Sequence, residues 1–386
     1  MISMEIVFYL SMYIIFWAMI GYPIFIKILE QIFKNKKLIK DNTKNPTVTL
    51  MIVAHNEEKV IKSKLQNAIK LDYNKDKLEI LVTSDNSEDN TNKIVRKFIE
   101  ENKEYNIKLY EVKERKGKTN AQNEAARLVK NEILVMTDAN SMLEKNAIKE
   151  LVYSFSSEKI AYVAGRLSYI NKENDIANNE NTYWNMDLAM RQIESNIQTI
   201  TAGNGAIYAC RTKDYYEFDP IECHDSAMPL YFALNNKRAI FNKDAIAYEK
   251  AGESAEDEFK RKVRMSRIVL KAMLPSIKVL NIFKYKWFTV FYLSHRSARY
   301  SLWLAHILLL LTNIILVFKS PIYIFMLLGQ ILIFLVIFIQ HKVKLQNKVI
   351  NMIYYYGITV LAQVIGVFNT IIGRSKPFWE KAESTR

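Results

Sequence analysis

The residues best suited to chemistry stand at the end of a short apolar run. The segment Glu132 to Ser141, EILVMTDANS, has no polar alternation and closes with Asp138 and Asn140. Such a run is typical of a buried strand in a parallel sheet, where ligands bind beyond the carboxyl ends of the strands. Two oxygen-bearing side chains one residue apart can hold a hard divalent cation against phosphate oxygens. An isolated Asp-x-Asn more often forms only a turn, so the interpretation depends on the rest of the chain.

The elements that would position this segment are short apolar runs separated by amphipathic stretches. The predicted strands are Val48 to Ala54, Leu78 to Thr83, Ile107 to Val112 and Ile133 to Thr137. The predicted helices between them are Glu57 to Ile69, Thr91 to Glu101 and Thr119 to Lys130. This β-α-β-α-β-α-β order predicts an α/β fold with a doubly wound, mostly parallel sheet that is covered on both faces.

Polar residues follow the first two predicted strands as they follow the fourth. The first strand runs into Ala54-His55-Asn56-Glu57-Glu58 and the second into Ser84-Asp85-Asn86-Ser87. Because parallel strands end at one edge of a sheet, these side chains and Asp138 are expected to meet there. Fold stability alone does not require that convergence, so the edge is a candidate binding site.

The net charge of +14 fits nucleic acid, anionic lipid or an anionic substrate as partner. Apolar residues concentrate in Ile6 to Leu29 and in Trp287 to Ile372, and lysines cluster directly after the first of these segments. Basic flanks of this kind mark the cytoplasmic side of a membrane span. We therefore expect a lipid bilayer and no nucleic acid as partner, and a multi-pass protein of the cell (inner or plasma) membrane with its α/β domain in the cytoplasm.

Five regions follow from these patterns. They are an N-terminal transmembrane anchor (1–30), a cytoplasmic α/β domain (45–250), basic amphipathic helices at the membrane surface (251–299), a C-terminal region of two or three transmembrane helices (300–373) and a basic tail (374–386). Whether residues 349–372 span the membrane stays open, because that stretch is polar for a lipid-facing helix. Cys210 and Cys223 lack metal-ligand spacing and are expected to be reduced packing residues.

The strand-end motifs in this order, together with VTLMIVAHNEE, resemble the family 2 glycosyltransferases, the group that contains cellulose, chitin and hyaluronan synthases. The resemblance covers about Pro46 to Arg267. It implies a GT-A fold, a nucleotide-sugar donor, with a UDP-sugar favoured, and Mg²⁺ or Mn²⁺ as cofactor. It also implies a glycan or lipid-linked acceptor in the synthesis of bacterial surface polysaccharide, with partner subunits for synthesis or export.

The resemblance also implies roles for single residues. Ala54, Asn56 and Glu57 match the segment that holds the base and ribose of the nucleotide, and Asp85 matches a base-contacting Asp. Lys118, in RKGKTNAQN, matches a segment that reaches the donor. Asp138 matches the first Asp of the D-x-D motif, which binds the donor through the metal. Asn140 replaces the second Asp, so it keeps a carbonyl oxygen but lacks a charge.

Further matches concern the acceptor side. Asp225, in Cys223-His224-Asp225, stands where the family has its general base, which makes an inverting, one-step transfer the expected mechanism. Gly203-Asn204-Gly205 resembles an acceptor-side loop. Arg264 survives from the Q-x-x-R-W motif of processive synthases and is a candidate for pairing with the diphosphate, whereas Arg261 and Met265 replace the Gln and the Trp.

The sequence leaves one alternative from a different class. A catalytically weakened membrane scaffold, or a subunit of a polysaccharide synthase complex, would also carry these membrane segments and could tolerate Asn140 and Met265. Nucleotidyltransferases fit poorly, because they open with a Gly-rich basic loop after the first strand, where this chain has the acidic AHNEE.

Overall fold

We describe the protein from a computed structural model, which covers residues 2–170, 175–250 and 255–377; the side chains of 175–184 and 255 are not described. Most of the predicted basic tail, 378–386, lies outside the described residues. Within the described part, eight strands form one sheet. They are β1 (Val48–Ala54), β2 (Leu78–Ser84), β3 (Asn106–Glu111), β4 (Ile133–Asp138), β5 (Met142–Leu143), β6 (Ile160–Tyr169), β7 (Ile207–Arg211) and β8 (Arg238–Glu249).

The helices flank this sheet and continue into the apolar segments at both ends of the chain. Those of the α/β domain are α3 (Ile61–Ile69), α4 (Thr91–Glu101), α5 (Lys118–Ala126), α6 (Ala147–Tyr153), α7 (Asp175–Ile197) and α8 (His224–Leu234). Before and after it come α1 (Ile2–Phe16), α2 (Tyr22–Ile32), α9 (Ala255–Met265), α10 (Val269–Met273), α11 (Ile282–Tyr285), α12 (Trp287–Phe291), α13 (Ala298–Tyr300), α14 (Leu302–Leu316), α15 (Pro321–Val343) and α16 (Lys348–Ile371).

The strand order is β3-β2-β1-β4-β7-β6-β8-β5. The first four strands are parallel, with Ala54 level with Ser84 and Val53 level with Asp138. Every residue of β1 and β2 is buried, which explains their apolar runs without alternation. The expected α/β fold is confirmed, and the carboxyl ends of β1, β2 and β4 meet at one edge of the sheet.

The other half of the sheet is mixed in direction. β7 lies antiparallel between β4 and β6, β8 pairs parallel with β6, and the two-residue β5 closes the edge against β8. This half brings the loop before β7 and the start of α8 to the same edge as the end of β4. Two predicted helices are shorter than expected: α3 begins at Ile61 rather than Glu57, and α5 ends at Ala126 rather than Lys130.

Candidate membrane segments lie at both ends of the chain. By length and composition, three segments of the described chain could cross a membrane: Ile2–Ile32, Pro321–Val343 and Lys348–Ile371. A fourth would be the pair Trp287–Tyr300 and Leu302–Leu316, whose axes are bent by 58°. The stretch left open in the sequence therefore forms a helix long and apolar enough to span.

A buried ionic cluster ties these segments to the α/β domain. It consists of Asp187, Arg191 and Glu194 on α7 with His295 and Arg299 from the bent pair. Both nitrogens of His295 are bonded, at 2.9 Å to Asp187 and 2.7 Å to Glu194. Tyr22 of the N-terminal segment donates to Glu194 at 2.6 Å. The cluster thus joins α7 to apolar segments from both ends of the chain.

Replacing Asp187 with Ala is expected to destabilise the protein by about 3–5 kcal/mol, because it removes the buried carboxylate that pairs with Arg191, His295 and Arg299. The check is the unfolding temperature of the detergent-purified protein. Glu104→Ala, which removes an exposed carboxylate from the surface of the same domain, is the matched control and should change it little. If the unfolding temperature of Asp187→Ala equals that of Glu104→Ala and of the wild type, the cluster contributes nothing to stability.

Candidate functional site

The loops after β1 and β2 are bound to each other. The Asp85 amide donates to the Ala54 carbonyl at 2.8 Å, and His55 Nδ1 lies 2.8 Å from the Asp85 carbonyl. Asn56 adopts a left-handed backbone with φ 54°, and its side-chain oxygen accepts from the Glu88 amide at 2.8 Å. The residues predicted to hold the nucleotide therefore form one connected wall at the sheet edge.

Both acidic residues among these are largely enclosed by protein. Asp85 is buried, and its carboxylate accepts from the amides of Gly117 at 3.0 Å and Lys116 at 3.3 Å. Burial raises its pKa, against the opposing effect of these two hydrogen bonds. Glu57 is also buried, and its amide donates to Thr91 Oγ1 at 2.7 Å. Asp85 thus fixes the turn that leads into α5 and Lys118.

Asp138 meets Lys118 at the end of β4. The Lys118 ammonium forms an ion pair with the Asp138 carboxylate. Burial disfavours the charged ammonium, but the carboxylates of Asp138 and Asp225 outweigh this and raise the pKa of Lys118. A Cβ on Gly205 would lie 3.1 Å from Lys118 Nζ and 3.4 Å from Asp138 Oδ2, so the Gly203-Asn204-Gly205 loop passes close over the pair.

The donor set fits a divalent cation that a substrate brings with it. Asp138 and Asn140 offer one carboxylate and one amide oxygen, and the Asn140 side chain makes no hydrogen bond to any described residue. No group of three His, Cys, Asp or Glu residues in the described ranges could hold a metal ion alone. Mg²⁺ is commonly bound by one or two carboxylates together with substrate phosphates. The oxygens of Asp138 and Asn140 would suit such a cation.

Asp225 is the second residue of α8 and lies beside the same loop. Its backbone carbonyl accepts from the Gly203 amide at 2.8 Å, whereas its carboxylate makes no hydrogen bond to the described residues. Burial raises the pKa of Asp225, and the positive charge of Lys118 opposes that rise. A carboxylate with free lone pairs and a raised pKa is suited to accept a proton.

The neighbouring His224 is held in place by other residues. It is buried, and Nε2 contacts Asn123 Oδ1 at 3.0 Å and the Tyr215 hydroxyl at 3.2 Å. Burial lowers the pKa of His224 to about 3, so the ring is neutral at physiological pH. Its contacts fix the start of α8 and thereby the position of Asp225.

Basic residues of α9 approach from the other side. Arg264 is half-buried, and burial together with Arg261 and Arg267 lowers its pKa to about 10; Asp138 is near enough to oppose this. Arg261 pairs with the buried Glu258 at 2.7 Å. Met265, which replaces the motif Trp, is 49% exposed. The charge of Arg264 therefore lies near enough to interact with that of Asp138.

Two residues near the site were not predicted from the sequence. Lys64 of α3 is fully buried beneath the Asp138–Asn140 turn, and Glu249 at the end of β8 accepts a hydrogen bond from Ser141. The signal for Lys64 was its spacing, because it falls on the apolar face of α3 with Ile61, Leu65 and Ala68. Glu249 gave no local signal.

Comparisons with known proteins point to one family. Residues 49–215 match the family model for glycosyl transferase family 2. A probable glycosyltransferase of Bacillus subtilis, YdaM, is 33% identical over 175 residues, which is 44% of this chain and 40% of the relative. A poly-beta-1,6-N-acetyl-D-glucosamine synthase of Staphylococcus epidermidis is 22% identical over 292 residues, covering 72% of this chain and 69% of that protein. The chain thus spans about two fifths of YdaM.

One solved structure has the same fold over nearly the whole chain. It is the mannosyltransferase PcManGT from Pyrobaculum calidifontis, in complex with GDP-Man and Mn²⁺, with a TM-score of 0.69 and 18% identity over 95% of this chain and 99% of that one. This likeness supports the GT-A fold, and the family match covers the three strand ends, Lys118 and Asp138. Residues 49–215 therefore resemble glycosyl transferase family 2, and the chain has the GT-A fold.

Proposed function

We propose that this protein is a membrane-anchored, inverting glycosyltransferase that moves a sugar from a nucleotide-sugar donor to a glycan or lipid-linked acceptor. One observation carries the proposal: the Asp138–Lys118 pair, the Gly203–Gly205 loop and the unbonded carboxylate of Asp225 meet at one edge of the sheet. That edge supplies oxygen ligands, a cation for phosphate and a proton acceptor together.

In the proposed reaction, Ala54, Asn56, Glu57 and Asp85 form the wall for the nucleoside. Lys118 and Arg264 balance the charge of the diphosphate as it leaves. Mg²⁺ or Mn²⁺, held by Asp138 and Asn140, would act as a Lewis acid on the diphosphate oxygens. These groups stabilise negative charge that grows as the bond between the anomeric carbon and the diphosphate oxygen breaks.

Asp225 serves as the general base in this proposal. Its carboxylate takes the proton from an acceptor hydroxyl while that oxygen attacks the anomeric carbon from the face opposite the leaving diphosphate. One displacement inverts the anomeric configuration. The Gly203 amide, bonded to the Asp225 backbone at 2.8 Å, fixes where the base stands relative to the loop.

The membrane arrangement is part of the proposal. The regions 1–30 and 300–373 anchor the cytoplasmic domain, 45–250, in the cell membrane. Region 251–299 would lie on the membrane surface, since it exposes Leu274 at 72%, Ile277 at 80% and Phe283 at 93% beside Lys278 and Lys284. Apolar side chains flanked by lysines are typical of segments that bind an anionic bilayer. A lipid-linked acceptor would then reach Asp225 along this surface.

The test is release of nucleoside diphosphate by the detergent-purified protein, with UDP- and GDP-sugars and with Mg²⁺ or Mn²⁺. We expect one donor to be consumed in the presence of a divalent cation and a membrane extract that supplies acceptor. Anomeric analysis of the product by NMR should show inversion. If no donor is consumed under any of these conditions, a catalytically weakened membrane scaffold would better explain why Asn140 and Met265 replace the motif Asp and Trp.

A further inference from the structure

Lys64 is a buried cation that the proposed reaction does not use. Its side chain is 0% exposed, and its ammonium donates to Thr137 Oγ1 at 3.0 Å and to the Ser141 carbonyl. Thr137 directly precedes Asp138, and Ser141 directly follows Asn140. One ammonium group therefore holds both ends of the turn that presents the two candidate metal ligands.

Further contacts extend this support to the neighbouring segments. One turn along α3, the Asn67 side chain donates to the Leu143 carbonyl at 2.9 Å and accepts from the Leu143 amide at 2.8 Å. Thr137 Oγ1 also donates to the Ala206 carbonyl at 2.7 Å, next to the Gly203–Gly205 loop. Lys64 thus belongs to a set of contacts that connects α3, the end of β4 and that loop.

The charge of Lys64 is costly to bury. Burial lowers its pKa to about 7, while the carboxylates of Asp138 and Glu249 favour the charged form. The neighbours of Lys64 on the inner face of α3 are apolar. Burying a Met or Leu at this position would therefore cost less free energy than burying a lysine. A lysine here contributes hydrogen bonds and positive charge beneath the turn, rather than packing.

We propose that Lys64 is a positioning residue for the Asp138–Asn140 turn, which it holds in the conformation that receives a divalent cation bound to a nucleoside diphosphate. This inference rests on the proposed function. Groups that orient metal ligands without touching the metal typically change metal affinity 10- to 100-fold when they are removed. Lys64 reaches the turn through Thr137 and Ser141, so its loss should disturb the ligand geometry and spare the nucleoside wall at β1 and β2.

The experiment is a titration of Mn²⁺, followed by electron paramagnetic resonance, into the full-length protein in detergent with saturating UDP, and with GDP in a parallel series. For Lys64→Met we expect the Mn²⁺ dissociation constant to rise about 10- to 100-fold. Nucleotide affinity measured without metal should stay within about threefold. Lys62→Met, which changes an exposed lysine on the same helix, is the matched control and should leave both unchanged.

A second pair of variants keeps the test open if Lys64→Met does not fold. Thr137→Val removes a hydroxyl that Lys64 contacts and nearly preserves the shape of the side chain, whereas Thr137→Ser retains the hydroxyl. We expect Thr137→Val to bind Mn²⁺ more weakly than the wild type and Thr137→Ser to bind it with unchanged affinity. Unchanged Mn²⁺ affinity in folded Lys64→Met, or equal losses of metal affinity and metal-free nucleotide affinity, would overturn the role of Lys64. Wild-type protein that binds neither nucleotide with Mn²⁺ would instead overturn the proposed function.

Discussion

Replacing Asp225 with Asn is expected to lower the rate of sugar transfer about 10²- to 10⁴-fold while the protein stays folded and binds its donor. Asn has the same shape as Asp but cannot accept the proton of an acceptor hydroxyl at neutral pH. The backbone carbonyl of residue 225, which accepts from the Gly203 amide, is unaffected by the change. The loss should therefore fall on turnover, with the KM for the donor nearly constant.

The measurement is the steady-state rate of transfer as a function of donor concentration. Asp219→Asn is the matched control, because Asp219 is an exposed carboxylate on the loop that precedes α8. We expect it to behave as wild type. If Asp225→Asn transfers sugar at the wild-type rate, the general base lies elsewhere.

The pH dependence of transfer should carry the same signature. A general base works only when deprotonated, so the rate should rise with pH through the pKa of Asp225. Burial raises the pKa of Asp225, so the increase in rate should occur at a higher pH than it would for an exposed Asp base. The residual activity of Asp225→Asn should lack this rise. These two results together would separate a base from a carboxylate that only shapes the loop.

The parallel half of the fold could be predicted from the sequence because its signals are local. Unbroken apolar runs mark strands buried on both faces, and polar residues directly after β1, β2 and β4 mark the ligand edge. The fold class followed from the alternation of these runs with amphipathic helices. The mixed half could not be predicted in this way, because β6, β7 and β8 pair with partners that lie far away in the chain.

The candidate site was predicted in part. Asp138 and the strand-end residues followed from local pattern, but Asp225 rested on the family resemblance, because a lone Asp at the start of a helix usually acts as a cap. Lys64 and the ionic cluster around Asp187 were missed. Their partners, Ser141 for Lys64 and His295 for Asp187, are 77 and 108 residues away, so only the three-dimensional structure brings them together.

Replacing Asp138 with Ala should lower the rate of sugar transfer nearly as much as loss of the general base Asp225 does. The effect should come from the donor side of the site, where the diphosphate leaves. The change removes the only charged oxygen ligand that the Asp138–Asn140 turn offers to a cation. It also leaves the Lys118 ammonium without its ion-pair partner. Stabilisation of a leaving group by a metal lowers the activation free energy by several kcal/mol. Without it, we expect kcat/KM to fall about 100- to 1,000-fold.

Two measurements distinguish this mechanism from simple misfolding. Binding of Mn²⁺ in the presence of nucleoside diphosphate should be lost, and the unfolding temperature should stay close to that of the wild type. Wild-type protein treated with EDTA should lose the same activity and regain it on addition of Mn²⁺, whereas Asp138→Ala should not regain it. Full activity of Asp138→Ala with metal present would place the diphosphate away from the end of β4.

Asn140→Asp provides the opposite change at the same turn. It adds the second carboxylate that the D-x-D motif has at this position, without altering the length of the side chain. More charged ligands bind a hard cation more tightly, so we expect the Mn²⁺ dissociation constant to fall. If Asp138→Ala weakens Mn²⁺ binding and Asn140→Asp strengthens it, both side chains contact the cation. If Asn140→Asp has no effect, Asp138 binds the cation without residue 140, and the amide serves only to shape the turn.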